Sequence, residues 1–177
     1  MDLEQLKYPI GKCTVPSTVS DDLLRRFIND IRYLPSLVEI TVQNLDADQL
    51  NTPYRPEGWT VAQVVHHLAD SHMNAYTRFK LALTEDNPVV KPYEEHLWAE
   101  LPDVSNTPIN ISITLLHALH TRWVNTLDNL TEEQWQRTFS HPVNKTVSSL
   151  RVTAGVYSWH GRHHVAQIEN LKERNNW

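Results

Sequence analysis

The sequence predicts an all-α protein, and among all-α architectures it favours a four-helix bundle. Four long segments repeat apolar residues at the spacing of one helical face. Capping residues stand directly before three of these segments. Only four glycines occur in 177 residues, which argues against nucleotide-binding folds that bring the backbone close to phosphate. We expect one domain over residues 1–177, because four amphipathic helices around one core account for most of the length.

The first long helix is predicted to begin after Ser20 and to end near Asn44. Ser20 suits an N-cap, and the two aspartates after it complement the positive end of the helix dipole. Pro35 falls inside the apolar stripe, and we expect it to kink or split the helix because proline has no backbone donor. Residues 1–19 contain two prolines and no helical period, which indicates an irregular arm packed on the body.

The second long helix is predicted to begin at a capping box, with Thr60 as the cap and Gln63 reaching back to it. It should end near Leu83 or Glu85. Residues 86–108 then carry four prolines and predict a long irregular connection between the second and third long helices, with a short helix possible over 94–100. Connections of this length in a compact domain are commonly functional.

The third long helix is predicted over residues 109–129, and the fourth from Ser148 or Ser149 to about Glu173. Between them, a second capping box formed by Thr131 and Gln134 predicts a short helix. Residues 137–147 alternate weakly and fit either a small hairpin or a plain loop.

Composition excludes several classes of function. A net charge of −5 gives no basic surface for nucleic acid or an anionic membrane. One cysteine allows no internal disulfide, and no apolar run approaches the roughly 20 residues of a membrane helix. The first residues lack the basic and apolar regions of a signal peptide. We therefore expect a cytoplasmic protein that binds neither nucleic acid nor membrane.

The last long helix carries the strongest chemical signal. His160 and His164 are four residues apart and fall within its apolar stripe, so their imidazoles lie on one face. Two neutral imidazoles at this spacing can bind one transition metal. The alternative is that each ring is a buried polar group paired with a carbonyl or carboxylate.

The second long helix offers several histidines for a third ligand. Helical periodicity places His72 on the apolar stripe and leaves His66 and His67 nearer solvent. The face that carries His67, Asn74 and Arg78 is either an ordinary solvated surface or the lining of a polar cavity. Periodicity alone therefore selects His72 and leaves the character of the other face open.

Several segments together make the sequence resemble the DinB superfamily of four-helix-bundle metalloproteins, and more closely its YfiT-like branch. They cover residues 8–11, 50–55, 58–74, 78–86 and 159–166. The stretch around His67, from Gly58 to Asn74, is specific to that branch, whereas a lone pair of histidines four residues apart would be a weak signal. The resemblance extends over nearly the whole chain.

The resemblance implies a metal held by His67, His160 and His164, against the periodicity that favours His72. It also implies a metal-dependent hydrolase that binds one zinc or nickel ion per subunit and forms a homodimer. The broader superfamily includes transferases that join small-molecule thiols, such as bacillithiol, to electrophiles. A three-histidine site leaves a coordination position that either water or a thiol could take, so a thiol S-transferase is the alternative activity.

Two non-catalytic alternatives also remain. In one, the metal only staples the bundle, with His72, His163 or a carboxylate as a fourth ligand. In the other, the bundle binds an apolar ligand or partner and holds no metal. Asn74 and Arg78 share a face with His67, and we expect them to bind substrate, Arg78 through an anionic group. No residue of the sequence stands out as a general base.

Overall fold

The computed structural model describes residues 2–143 and 145–177 and consists mainly of helices. The elements, in chain order, are α1 Leu3–Lys7, α2 Asp21–Val42, α3 Ala47–Leu50, α4 Val61–Thr84, α5 Glu95–Trp98, α6 Pro102–Asn106, α7 Ile109–Asp128, α8 Glu132–Trp135, β1 Thr138–His141, β2 Thr146–Ser149 and α9 Leu150–Asn175. The long helices α2, α4, α7 and α9 pack in a ring in the order α2, α9, α4, α7. The predicted four-helix bundle is confirmed.

The predicted capping residues begin the helices at which they were placed. The Ser20 side chain accepts from the Leu23 amide at the start of α2. Thr60 and Thr131 form reciprocal capping boxes at α4 and α8. Of the two serines offered for the last helix, Ser149 is the cap of α9. Strands β1 and β2 pair as a hairpin, in place of the plain loop that was the alternative, with Thr138 opposite Ser149 in an antiparallel register.

Two expectations for the first quarter of the chain differ in part from the structure. Helix α2 is not split at Pro35, which lies buried inside a continuous helix. The buried stripes on both sides of Pro35 hold the helix together across the missing hydrogen bond. The N-terminal arm is not wholly irregular, because a capping box formed by Asp2 and Gln5 begins the short helix α1.

The connection between α4 and α7 contains two short helices, α5 and α6, joined by irregular chain. It lies against the side of α4 that carries many of its polar residues. The Gln63 side chain donates to the Ala99 carbonyl at 2.9 Å, and the Val90 amide donates to the Ser140 carbonyl of the hairpin at 3.0 Å. The connection and hairpin thus form a second layer over α4, and this layer encloses residues that would face water in an isolated bundle.

The bundle interior is divided into two apolar clusters. The first is centred on Phe79 and Trp123, and the second on Leu68 and Leu116. Helices α2 and α9 approach each other closely at Gly161, where a Cβ would lie only 2.6 Å from a Leu34 methyl carbon. Glycine at this position therefore permits the close packing. The boundary between the two clusters, halfway along the bundle, is occupied by histidines of α4, α7 and α9.

Across the part of the chain that the structure describes, no helix combines the length and hydropathy needed to cross a membrane.

Candidate metal centre

The three histidines implied by the resemblance meet at the boundary between the two apolar clusters. Helix α9 supplies His160 and His164, whose ring centroids are 4.6 Å apart, and α4 supplies His67. Nε2 of His67 lies 3.2 Å from Nε2 of His160. One ring nitrogen from each histidine lies within 4.8 Å of the other two. Among residues 2–143 and 145–177, these three side chains are the one group of His, Cys, Asp or Glu close enough together to hold a metal.

The protonation of these rings fits a metal site. Burial lowers the pKa of His67 to about 4. Burial, reinforced by the neighbouring histidines, holds the pKa values of His160 and His164 well below their ordinary value. All three rings are therefore neutral at neutral pH, which is the form that binds a transition metal. Tetrahedral ligands at about 2.0–2.1 Å from zinc are about 3.3 Å apart, and the separation of 3.2 Å between Nε2 of His67 and Nε2 of His160 matches this spacing.

Gln167 orients His164 toward the same point. The side-chain nitrogen of Gln167 donates to the Lys7 carbonyl at 3.1 Å. This hydrogen bond leaves the side-chain oxygen of Gln167 facing the His164 imidazole. Because that oxygen only accepts, Nδ1 of His164, at 2.9 Å, must carry the hydrogen. Nε2 of His164 is then left with a free lone pair, as a metal ligand requires.

A cavity of about 490 Å³ opens beside the three rings. The residues that line it include all three histidines, together with Tyr8, Trp59, Glu95 and Gln167. The indole of Trp59 packs on the His67 ring with centroids 4.6 Å apart. A small molecule in this cavity would therefore lie against the three histidines.

A model of the DinB superfamily matches residues 31–168. The chain belongs to the DinB superfamily. It is 49% identical over 175 residues to a protein of Bacillus mycoides (strain KBAB4) and to one of Bacillus cereus (strain ATCC 10987), with 99% of this chain and 100% of each relative covered. Both relatives carry the name "putative metal-dependent hydrolase". Among solved structures, YfiT from Bacillus subtilis matches with a TM-score of 0.95 and 43% identity, over 98% of this chain and 99% of that one. YfiT is described as a "probable metal-dependent hydrolase with an unusual four-helix bundle topology".

The two further residues predicted for substrate binding in this DinB-superfamily chain differ in their surroundings. Arg78 lines a second cavity of about 470 Å³ and lies 3.3 Å from the Tyr157 hydroxyl through Nη1. The Asn74 side chain donates to the Asp70 carbonyl of its own helix at 2.9 Å, and Asn74 is absent from the lining of both cavities. Glu95 and His160 line both cavities, so the two spaces meet at the predicted metal centre.

Periodicity misplaced His66 and His67 of α4 in this member of the DinB superfamily. His66, His67 and His72 are all buried, with exposed fractions of 5%, 5% and 0%. Periodicity assumed that α4 has one solvated face, whereas the connection between α4 and α7 packs over that face. His72 does point inward, as periodicity indicated, but its two ring nitrogens contact His120 and His160 rather than joining the metal group.

Sequence reasoning missed three parts of the centre. Gln167 follows His164 by three residues on the same helix, a spacing that could have identified it as a partner. Glu95 and the Lys7 carbonyl come from distant segments, and no local pattern relates them to the histidines.

Proposed function

We propose that this DinB-superfamily protein is a metal-dependent hydrolase acting on a small molecule, with one zinc or nickel ion per subunit held by His67, His160 and His164. The observation that carries the proposal is the convergence of three neutral imidazoles on the wall of a cavity of about 490 Å³. The names of the relatives support the metal dependence and the reaction class.

Three protein ligands would leave a coordination position open toward the cavity, as in catalytic rather than structural zinc sites. A divalent metal held there would lower the pKa of a bound water from about 15.7 to about 7 and polarise a substrate carbonyl. The chain's own residues would do the remaining work. Trp59 would shield the His67 ring, and Gln167 would keep Nε2 of His164 free for the metal.

The Arg78 cavity suggests how a substrate would be oriented. The guanidinium and the Tyr157 hydroxyl could both donate to an anionic or carbonyl group, while the bond to be cleaved lies near His160. Glu95, the carboxylate that lines both cavities, could accept a proton from the attacking water. Asn74 would need to release the Asp70 carbonyl before it could bind substrate.

The stapled-bundle alternative requires a fourth protein ligand. Both ring nitrogens of His72 are occupied by other histidines. His163 lies outside the metal group, contacts the Gln167 amide through Nε2 at 3.1 Å and stacks on Trp159. Within the described residues no carboxylate joins the metal group. These contacts favour an open site and hence catalysis.

The decisive experiment is an activity panel with defined metal loading. The chain should be purified without a polyhistidine tag, stripped, and reloaded with zinc or nickel. It should then be tested against simple esters and amides, and against thiol–electrophile pairs. Hydrolysis that requires metal and needs no thiol supports the proposal. Turnover only when a low-molecular-weight thiol is present would identify the S-transferase instead. Protein that retains no metal would favour the metal-free binding module.

We also propose that the protein is a cytoplasmic homodimer. Most apolar residues of α4 are buried within the chain, with Met73 as an exposed exception, so this helix offers little apolar surface for an interface. Helix α2 instead exposes Tyr33, Leu37 and Ile40 along one side, with exposed fractions of 64%, 38% and 60%, and symmetric association could cover this stripe. Light scattering coupled to gel filtration tests the proposal, and a mass of one chain would contradict it.

A further inference from the structure

Pro35 creates an unusual acceptor in the middle of the bundle. Proline has no backbone N–H, so the Ile31 carbonyl, four residues earlier in α2, loses its usual helical donor. Ile31 and Pro35 are both buried, and a buried carbonyl needs a partner from elsewhere. Nδ1 of His120, on α7, lies 2.6 Å from this carbonyl.

The carbonyl determines which nitrogen of His120 carries the hydrogen. A carbonyl oxygen only accepts, so Nδ1 of His120 must donate. Burial lowers the pKa of His120 to about 4, and the ring is therefore neutral. A neutral imidazole with its hydrogen on Nδ1 offers only a lone pair at Nε2. His120 must accordingly accept a hydrogen bond at Nε2.

The same argument passes through the next two rings. Nε2 of His120 lies 3.0 Å from Nδ1 of His72, so His72 donates from Nδ1 and accepts at Nε2. Nε2 of His72 lies 3.2 Å from Nδ1 of His160, so His160 in turn donates from Nδ1. Nε2 of His160 is left with a lone pair, and it is this nitrogen that faces Nε2 of His67 at 3.2 Å.

We propose that His72 and His120 are positioning residues that fix the tautomer and ring orientation of His160 for metal binding. The relay runs from the Ile31 carbonyl through His120 and His72 to His160, and all three rings carry their hydrogen on Nδ1. It rests on the proposed metal centre, but its tautomers are a property of the chain itself. The relay and the Gln167 contact fix a histidine tautomer in the same way, because each series of hydrogen bonds ends on a backbone carbonyl that can only accept.

Burial explains why these two histidines need such an arrangement. His72 and His120 have exposed fractions of 0% and 1%, and they lie between two apolar clusters. A buried imidazole nitrogen without a partner destabilises the fold, so apolar side chains would be expected at both positions if these residues only filled the core. Partners that orient a ligating histidine typically change metal affinity by about 10–100-fold.

The first test needs no substitution. Long-range proton–nitrogen correlation spectra of the metal-free protein near pH 8 distinguish Nδ1–H from Nε2–H in each histidine. We expect the Nδ1–H form at positions 72, 120 and 160. An Nε2–H form at any of the three would overturn the relay, whether or not the protein hydrolyses any substrate. A correct set of tautomers without hydrolysis would leave the relay standing and count against the proposed function.

The second test separates positioning from packing. His72→Leu should weaken zinc affinity about 10–100-fold in a chelator competition, and His120→Leu should do so by a smaller factor because it acts one ring further away. His72→Gln keeps an oxygen that can accept from His160 and should recover part of the loss. The matched control is His66→Leu, which removes a buried histidine of the same helix whose Nδ1 contacts Ser112 at 2.7 Å.

Equal zinc affinities for His72→Leu and His66→Leu would overturn the proposal. So would unchanged His160 nitrogen shifts in His72→Leu. If His72→Leu does not fold, the tautomers of the wild-type protein still decide the question.

Discussion

The buried histidines predict a steep loss of stability in mild acid when the metal is removed. Burial lowers the pKa values of His67, His120 and His163 to about 4, and those of His72, His160 and His164 lie well below the ordinary value of 6.5. In the unfolded chain these rings titrate near 6.5. Below that pH the histidines of the unfolded state are protonated, whereas those of the native state stay neutral. Stability is therefore fully present above about pH 6.5 and is lost as the pH falls toward 4.

The magnitude follows from the linkage relation. Between pH 7.5 and 5.5, each histidine that stays neutral in the native state costs about 1.4 kcal/mol of unfolding free energy. Six such rings cost about 8 kcal/mol. Asp70 opposes them, because burial and the charge of Asp103 raise its pKa to about 6, and this restores somewhat under 1 kcal/mol. A net loss of about 7 kcal/mol is comparable to the whole stability of a typical domain, about 5–15 kcal/mol.

The assay is urea unfolding followed by tryptophan fluorescence, at pH 7.5 and at pH 5.5, with a chelator present. His163→Gln removes one buried ring that is not a predicted ligand, so it should reduce the pH-dependent loss by about 1.4 kcal/mol. A loss below about 3 kcal/mol for the wild-type protein would show that these rings are not held neutral in the native state. It would then refute the protonation argument for the metal site as well.

Three further predictions follow from individual residues. His67→Ala should reduce the metal content of purified protein from about one ion per chain to near zero, whereas His66→Ala should retain it; elemental analysis decides. Arg78→Gln should raise KM about 10-fold for substrates with an anionic group and leave neutral ones unchanged, and equal effects on both classes would remove Arg78 from substrate binding. Arg151→Leu should lower unfolding free energy by about 2 kcal/mol, because its buried guanidinium pairs with Asp21 and Glu132; the exposed Arg25→Leu is the control, and similar losses would contradict the argument.

The long helices could be predicted because their signals are local. Ser20, Thr60 and Thr131 begin helices through contacts within four residues of themselves, and the apolar stripes repeat over many turns. The pair formed by His160 and His164 is equally local, since one turn of helix α9 brings the rings together. Periodicity fails where a second layer covers a helix, and for this reason it selected His72 rather than His67. Only the resemblance to a family could supply the predicted third ligand.

Pro35 shows most clearly what a local pattern leaves out. From the sequence it predicts a kink or break, because the helix loses one hydrogen bond at that position. In the folded chain the freed Ile31 carbonyl accepts from His120, which is 89 residues away. The Ile31 carbonyl is thereby the first acceptor in a series of hydrogen bonds through three imidazoles, and the last of these belongs to the predicted metal centre. A residue that weakens one helix would thus orient a predicted ligand on another, and that link exists only once α2, α7, α4 and α9 have packed together.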